Sequence, residues 1–207
     1  MAADVWKTAR IQAQSASADF SGWHFPVDDS GFMGANFAAG VSFSGCVFSG
    51  DARFLNAQFN GDAVFDGAVF RGLARWGHIV FSGGLSARGT VWSGGLQSGG
   101  GRIAGKADFS SARFRGDAGW GGMHFAGRVI FDQAVFMRAA VFLGTVFDDE
   151  VSFGGAQFKQ GAVFRDAEIG RLADFSGAVF HGPCNWAGVT LARGHDSLLN
   201  LVEHARP

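Results

Sequence analysis

The sequence predicts an all-β solenoid: a stack of about eight β-helical coils with some 22 residues in each. Two observations predict it. Aromatic residues recur in strictly alternating steps of five and six, as Phe32, Phe37, Phe43, Phe48, Phe54, Phe59, Phe65, Phe70, Trp76 and Phe81. A small residue stands two positions before nearly every one of them, so that small and aromatic side chains share the inward face of an extended segment. Helix is excluded, because a mean spacing of 5.5 residues is no helical period. The 33 glycines of this chain would also each cost a helix ~1 kcal/mol.

The register runs unbroken to Trp186 and Leu191, giving fifteen eleven-residue units over 30–194 and thirty aromatic slots. Those slots hold 21 Phe, four Trp, two Ile and one Leu, with Ala87 and Ser98 as exceptions. Phe20 and Phe25 fit one earlier unit, displaced by a single extra residue near Asp28 and Asp29. Glycine two residues after an aromatic, as at Gly45, Gly50, Gly61, Gly67, Gly72 and Gly83, fits a corner that needs positive φ.

Stacked positions should share character, and that fixes the coil. Counting units from residue 30, Trp76, Trp120 and Trp186 fall in the first aromatic slot of odd units, and Ile103, Ile169 and Leu191 in the second slot of odd units. Branched residues in the first small slot, Val41, Leu85, Val129 and Val151, all fall in even units, with Leu96 the exception. The true period is therefore two units. A four-sided coil with sides of five, six, five and six residues satisfies it. At ~4.8 Å between stacked strands, eight coils make a rod of roughly 38 Å. Leu85 with Ala87, and Leu96 with Ser98, read as volume swaps that mark the least regular packing near 85–106.

Three segments follow. Residues 1–17 are polar and alanine-rich, and Val5, Trp6, Ala9 and Ile11 give either a short helix or a degenerate first coil that covers the open end. Residues 18–194 are the repeat. Residues 195–207 break register, and Asp196 or Ser197 can cap a short helix whose Leu198, Leu199, Leu201 and Val202 cover the last coil or join two copies as a homodimer.

The small–x–aromatic pattern resembles the pentapeptide-repeat family over about 177 of the 207 residues. The resemblance implies a right-handed quadrilateral β-helix. The regular sixth residue, the near-exclusive Phe and the frequent loss of the family's Asp or Asn before the central residue are departures; Asp19, Asn36, Asp108, Asp174 and Asn185 keep it. Some members of the family protect type II topoisomerases by imitating duplex DNA, as drug-resistance or immunity factors. That activity wants a strongly negative rod, and this chain has 18 acidic against 17 basic residues, a net charge of −1.

The same balance gives no basic field for nucleic acid, so direct binding to it is not expected. No run reaches the ~18 apolar residues of a membrane span. Cys46 and Cys184 sit in separate inward slots, too far apart to bridge, which suits a reducing compartment. The opening residues lack the build of a signal peptide. The expectation is a cytoplasmic protein.

Chemistry is scarce. Gly100, Gly105 and Lys106 nearly spell a phosphate loop, but Ala107 stands where the metal-binding hydroxyl belongs. Asp148, Asp149 and Glu150 crowd one corner, the usual place for solvated acids. Six scattered His lack metal spacing, and an inward Cys184 is poorly set to be a nucleophile. No cofactor, metal or catalytic group is expected, so the function expected is that of a non-catalytic binding or scaffold protein with a protein partner.

One outward pattern singles out a surface. Before the second aromatic of even units stand Val47, Val69, Val91, Arg113, Val135, Gln157 and Val179, and after it Ser49, Arg71, Ser93, Arg115, Met137, Lys159 and His181. A valine column beside an intermittent basic column is the expected partner-binding face, made by Val47, Val69, Arg71, Val91, Arg113, Arg115, Val135, Lys159 and Val179. Outward valine also favours strand in its own right.

Overall fold

A computed structural model describes residues 5, 8–10, 12–13, 17–27 and 31–191 of the chain. Among the described residues thirty-one two-residue strands assemble into four parallel sheets of eight, seven, eight and eight strands. From Val41 onward each coil contributes one strand to every sheet, and the seven-stranded sheet begins one coil later than the others. The first face runs from Ala18–Asp19 to Ala173–Asp174, and the second from His24–Phe25 to Val179–Phe180. The third runs from Ala52–Arg53 to Cys184–Asn185, and the fourth from Asn36–Phe37 to Thr190–Leu191.

The 22-residue coil is the register of every pair from Asn36 onward: Val47 lies against Val69 and Val69 against Val91, while Gln58 pairs with Asn36 and Val80 on another sheet. Ala18 pairs with Val41 and His24 with Val47, one residue further on. The extra residue therefore enters after Phe25 and before Asn36, and Asp28 and Asp29 themselves lie outside the described residues.

Two kinds of corner explain the alternation of five and six. After the first aromatic the chain turns in two residues, with the next small residue's N–H donating back to the aromatic carbonyl, as Cys46 does to Phe43 at 3.1 Å and Ala68 to Phe65 at 2.9 Å. The second turn residue has positive φ, the mark of a type II turn. It recurs every eleven residues from Gly34 and Gly45 to Gly177 and Gly188, with Asn56, His78, Ser111, Gln133 and Asp166 taking the position where glycine does not. After the second aromatic three residues make a wider corner, and the expectation of positive φ fails there. Gly50, Gly61, Gly72 and Gly83 keep φ outside the left-handed region. Glycine is needed at the last three because the coil below is too close: a Cβ on Gly61 would lie 2.5 Å from Gly40 N, and one on Gly72 2.5 Å from the Gly50 carbonyl carbon.

The core is a set of ring columns. On the second face Phe25, Phe48, Phe70, Trp92, Phe114, Phe136, Phe158 and Phe180 form one uninterrupted stack, with planes within 11° and centroids 4.0–5.8 Å apart. Its widest gap, 5.8 Å, follows Trp92, in the stretch with the irregular slots. Ala87 and Ser98 are buried there beside the buried Leu85 and Leu96. Trp76 and Trp92 meet edge to face at 5.2 Å in the same region, and Trp76 Nε1 is buried with no hydrogen-bond partner. At the N-terminal end residues 5, 8–10 and 12 are helical; Ala13 N donates to Ala9 O at 2.9 Å, and both alanines are buried. The segment 195–207 lies outside the described residues.

Candidate functional site: the second face

The valine and basic columns predicted from the sequence occupy one sheet. Val47, Val69, Val91, Arg113, Val135, Gln157 and Val179 pair in succession along the second face. Val47, Val69, Val91 and Val135 are half-buried, whereas Val179 and Met137 are 45% and 46% exposed. Arg71, Arg113 and Arg115 are exposed, and Lys159 is half-buried with Nζ donating to His181 Nε2 at 3.1 Å. The face is well braced: a stacked ring lies beneath each coil, and its N–H groups are bonded to the coil below, as Val69 N is to Cys46 O and Arg71 N to Phe48 O.

The electrostatics of the molecule separate this face from the rest. Arg75, Arg88, Lys106, Arg128, Arg165 and Arg171 are each paired with a carboxylate, Asp51, Asp66, Asp108, Glu150, Asp166 and Asp149 respectively. Arg102 donates to His124 Nδ1 at 2.5 Å, and His124 Nε2 bonds Asp148 at 2.7 Å. Among the described residues Arg71, Arg113, Arg115, Arg138 and Lys159 form no ion pair with Asp or Glu, and all five lie on the second face or the corner just after it, while Arg102 on the fourth face likewise has only a His partner. No carboxylate occupies an outward position of that face between His24 and His181. Asp51 and Asp117 close its far corner, and Asp51 is taken by Arg75 and the Leu73 N–H. Sequence reasoning missed Arg138, two residues after Phe136, at a position that most coils of this face give to glycine.

The first face is built the opposite way. Its type II corners leave an N–H that the turn does not use, and a carboxylate caps it. Asp108 and Asp174 accept from Ser110 N and Ser176 N two residues on, at 3.0 and 2.8 Å. Asp19 does the same for Ser21, and on the third face the amide of Asn185 does so for Ala187. Asn36 does not, because a wide corner follows it; its Oδ1 accepts from Asn60 Nδ2. Where Val64 or Ile130 removes the acceptor, the corner residue itself is Asp66 or Asp132, and it caps the coil above through Arg88 N or Gly154 N, both at 2.9 Å. Burial raises the Asp108 carboxyl, but the Ser110 hydroxyl and N–H and the Lys106 ammonium outweigh it, so its pKa falls below the ordinary 3.8. The Ser21 hydroxyl and N–H lower Asp19 likewise.

The remaining motifs resolve into structure. Gly105 N donates to Gly83 O within the stack and Lys106 pairs with Asp108, so the near-match to a phosphate loop is part of the repeat. Asp148, Asp149 and Glu150 diverge to His124, Arg171 and Arg128. Among the described residues no three His, Cys, Asp or Glu side chains cluster to hold a metal. Burial pushes the Cys46 thiol up to about 12, and its Sγ donates to Phe20 O at 2.9 Å. Cys184 is half-buried because it lies on the last described coil, and burial raises its pKa too. A surface hollow of about 610 Å³ over Gly83, Gly84 and Gly105 is rimmed by Arg88 and Lys106, both already engaged by carboxylates. No helix among the described residues is long and apolar enough to cross a membrane.

Four parallel sheets, 22-residue coils and a small residue two before most inward rings define a parallel β-solenoid of the five-residue-step class. The family model described as pentapeptide repeats (9 copies) matches residues 32–80 and 142–190, and over these stretches the chain is similar to the pentapeptide-repeat family. The stretch between the two matches contains Ala87 and Ser98, where the slots are irregular, yet the sheet register passes through it unchanged. No curated protein matches the chain.

Proposed function

We propose that this protein is a non-catalytic binding module, a scaffold that presents its second face to a protein partner. The observation that carries this reading is the group of cations without carboxylate partners beside a half-buried valine column on a well-braced sheet. Such a face gains by covering apolar surface and by meeting charge of opposite sign. Absence of catalysis is part of the proposal, supported by a Cys46 thiol that stays protonated at neutral pH. A cytoplasmic location belongs to it as well and rests on the two free cysteines.

Duplex mimicry, the other activity the family implies, ranks second. It demands continuous negative potential, whereas six carboxylates of this chain are each neutralised by a Lys or Arg and the net charge is −1.

The test is the triple change Arg71→Glu, Arg115→Glu and Lys159→Glu, with Val69→Asp and Val135→Asp made separately. The charge changes are outward and leave the fold intact, as far-UV circular dichroism will report. Each set abolishes capture of the partner recovered with the wild type. Unchanged capture in all of them refutes the site, and the valines are then there for strand formation alone.

A further inference from the structure

Resting on that reading, we infer that the segment bound by the second face is an acidic amphipathic helix lying along the stack axis. Three features of the face select it. The first is charge: Arg71, Arg113, Arg115, Arg138 and Lys159 form no ion pair with Asp or Glu among the described residues, and no outward carboxylate shares their face. The ligand must therefore bring the acids.

The second is spacing. Arg71, Arg115 and Lys159 occupy one slot on every second coil, just beyond Phe70, Phe114 and Phe158 in the ring column. Two strand spacings put successive cations ~9.6 Å apart. Seven residues of α-helix rise about 10.5 Å, so carboxylates at every seventh residue stay in step with the cations to within the reach of an Arg or Lys stem. Residues three and four further along the same helix face its own apolar stripe. That stripe meets Val69, Val91 and Val135, which flank the ring column on its other side.

The third is the backbone. Along the interior of the face every coil's N–H groups are spent on the neighbouring coil, as with Val91 N to Ala68 O at 2.9 Å and Ser93 N to Phe70 O at 2.7 Å. An extended peptide cannot add to such a face as a strand, since strand addition uses an open edge. A helix needs no backbone partner. Duplex DNA would satisfy the cations but leave the valine column against water or phosphate, which favours the helix over a nucleic acid.

The probe is a fluorescent three-heptad synthetic helix with Glu at every seventh position, Leu three and four residues after each Glu and neutral polar residues elsewhere. A second peptide has the same composition with the Glu and Leu positions scrambled, and a short DNA duplex is the third ligand. Fluorescence anisotropy at low ionic strength measures each against the wild type and the Arg71→Glu, Arg115→Glu, Lys159→Glu variant. The heptad peptide binds the wild type, and the affinity falls at least tenfold with the triple variant or the scrambled peptide. No binding of the heptad peptide, equal binding of the scrambled one, indifference to the charge reversal, or tighter binding of the duplex each overturns the inference. If the peptide fails while second-face substitutions still abolish capture of a protein partner, only the helix falls. If those substitutions are silent as well, the binding site falls with it.

Discussion

Gly67 and Gly72 stand five residues apart, each two residues after an inward Phe, and alanine at the two sites should fail for different reasons and by different amounts. Gly67 has φ of +68°, and an added Cβ would find nothing within 4 Å. Gly67→Ala therefore meets only the left-handed backbone penalty, about 1–2 kcal/mol. Gly72 has no such φ, but its Cβ would lie 2.5 Å from the carbonyl carbon and oxygen of Gly50 and 2.6 Å from Asp51 N. Ordinary contact begins at 3.4 Å, so two coils must part by most of an ångström. They are tied by Arg71 N to Phe48 O at 2.9 Å and by Leu73 N to Asp51 Oδ1 at 3.0 Å, and the atoms the Cβ would meet are all backbone and cannot swing away. Overpacking against backbone of this kind costs about 3 kcal/mol or more. Urea unfolding followed by tryptophan fluorescence measures both variants, with midpoints compared only where the slopes agree, because a solenoid can unfold in parts. Gly72→Ala should lose at least twice the stability lost by Gly67→Ala. Equal losses would refute the assignment of one corner to φ and the other to close approach.

Two further predictions follow from the core and the caps. Ala87→Phe restores the missing ring but overpacks a site where Leu85, Ala87 and Trp92 are all at most 2% exposed, and should cost about 1–3 kcal/mol; Leu85→Ala added to it should recover most of that loss in the same urea assay, and no recovery would sink the volume-swap reading. Because the folded pKa of Asp108 lies below 3.8, its charge adds stability that is present above the unfolded value and lost as pH falls through the folded one. The advantage of the wild type over Asp108→Asn should hold at neutral pH and fade below pH 3.8, and an advantage that does not change with pH would contradict the charged cap.

The aromatic steps made the architecture legible because a ring in the wrong place cannot be hidden: every inward slot is surrounded by other rings, so the pattern tolerates few exceptions. The parity of Trp76, Trp120 and Trp186 was enough to double the apparent repeat, and the pairing of Val47 with Val69 has the same period. Glycine was harder to read. The same residue two positions after a ring serves φ at Gly67 and clearance at Gly72, and composition cannot separate a torsional demand from a steric one. The difference was encoded in the corner length, two residues against three.

Charge was the least legible layer, and the reason is instructive. Asp66 with Arg88 and Asp149 with Arg171 are 22 residues apart, as are Arg128 with Glu150, Arg102 with His124 and Lys159 with His181. Pairs at that distance look unrelated in the sequence until charges are folded on the coil length, as the rings were. Folded that way, the net charge of −1 ceases to describe the molecule. Carboxylates cap the type II corners of the first face, where N–H groups need them, and six of the cations around the stack pair with carboxylates, four of them one coil away. The second face has apolar Val69, Val91 and Val135 and uncharged Ser49 and Ser93 at positions where a neighbouring coil would otherwise supply an acid. Arg71 and Arg115 are therefore left with serine and methionine as their stacked neighbours. A near-neutral solenoid has in this way separated one cationic side from the acids that hold its corners together, and it is that separation that gives the face something to bind.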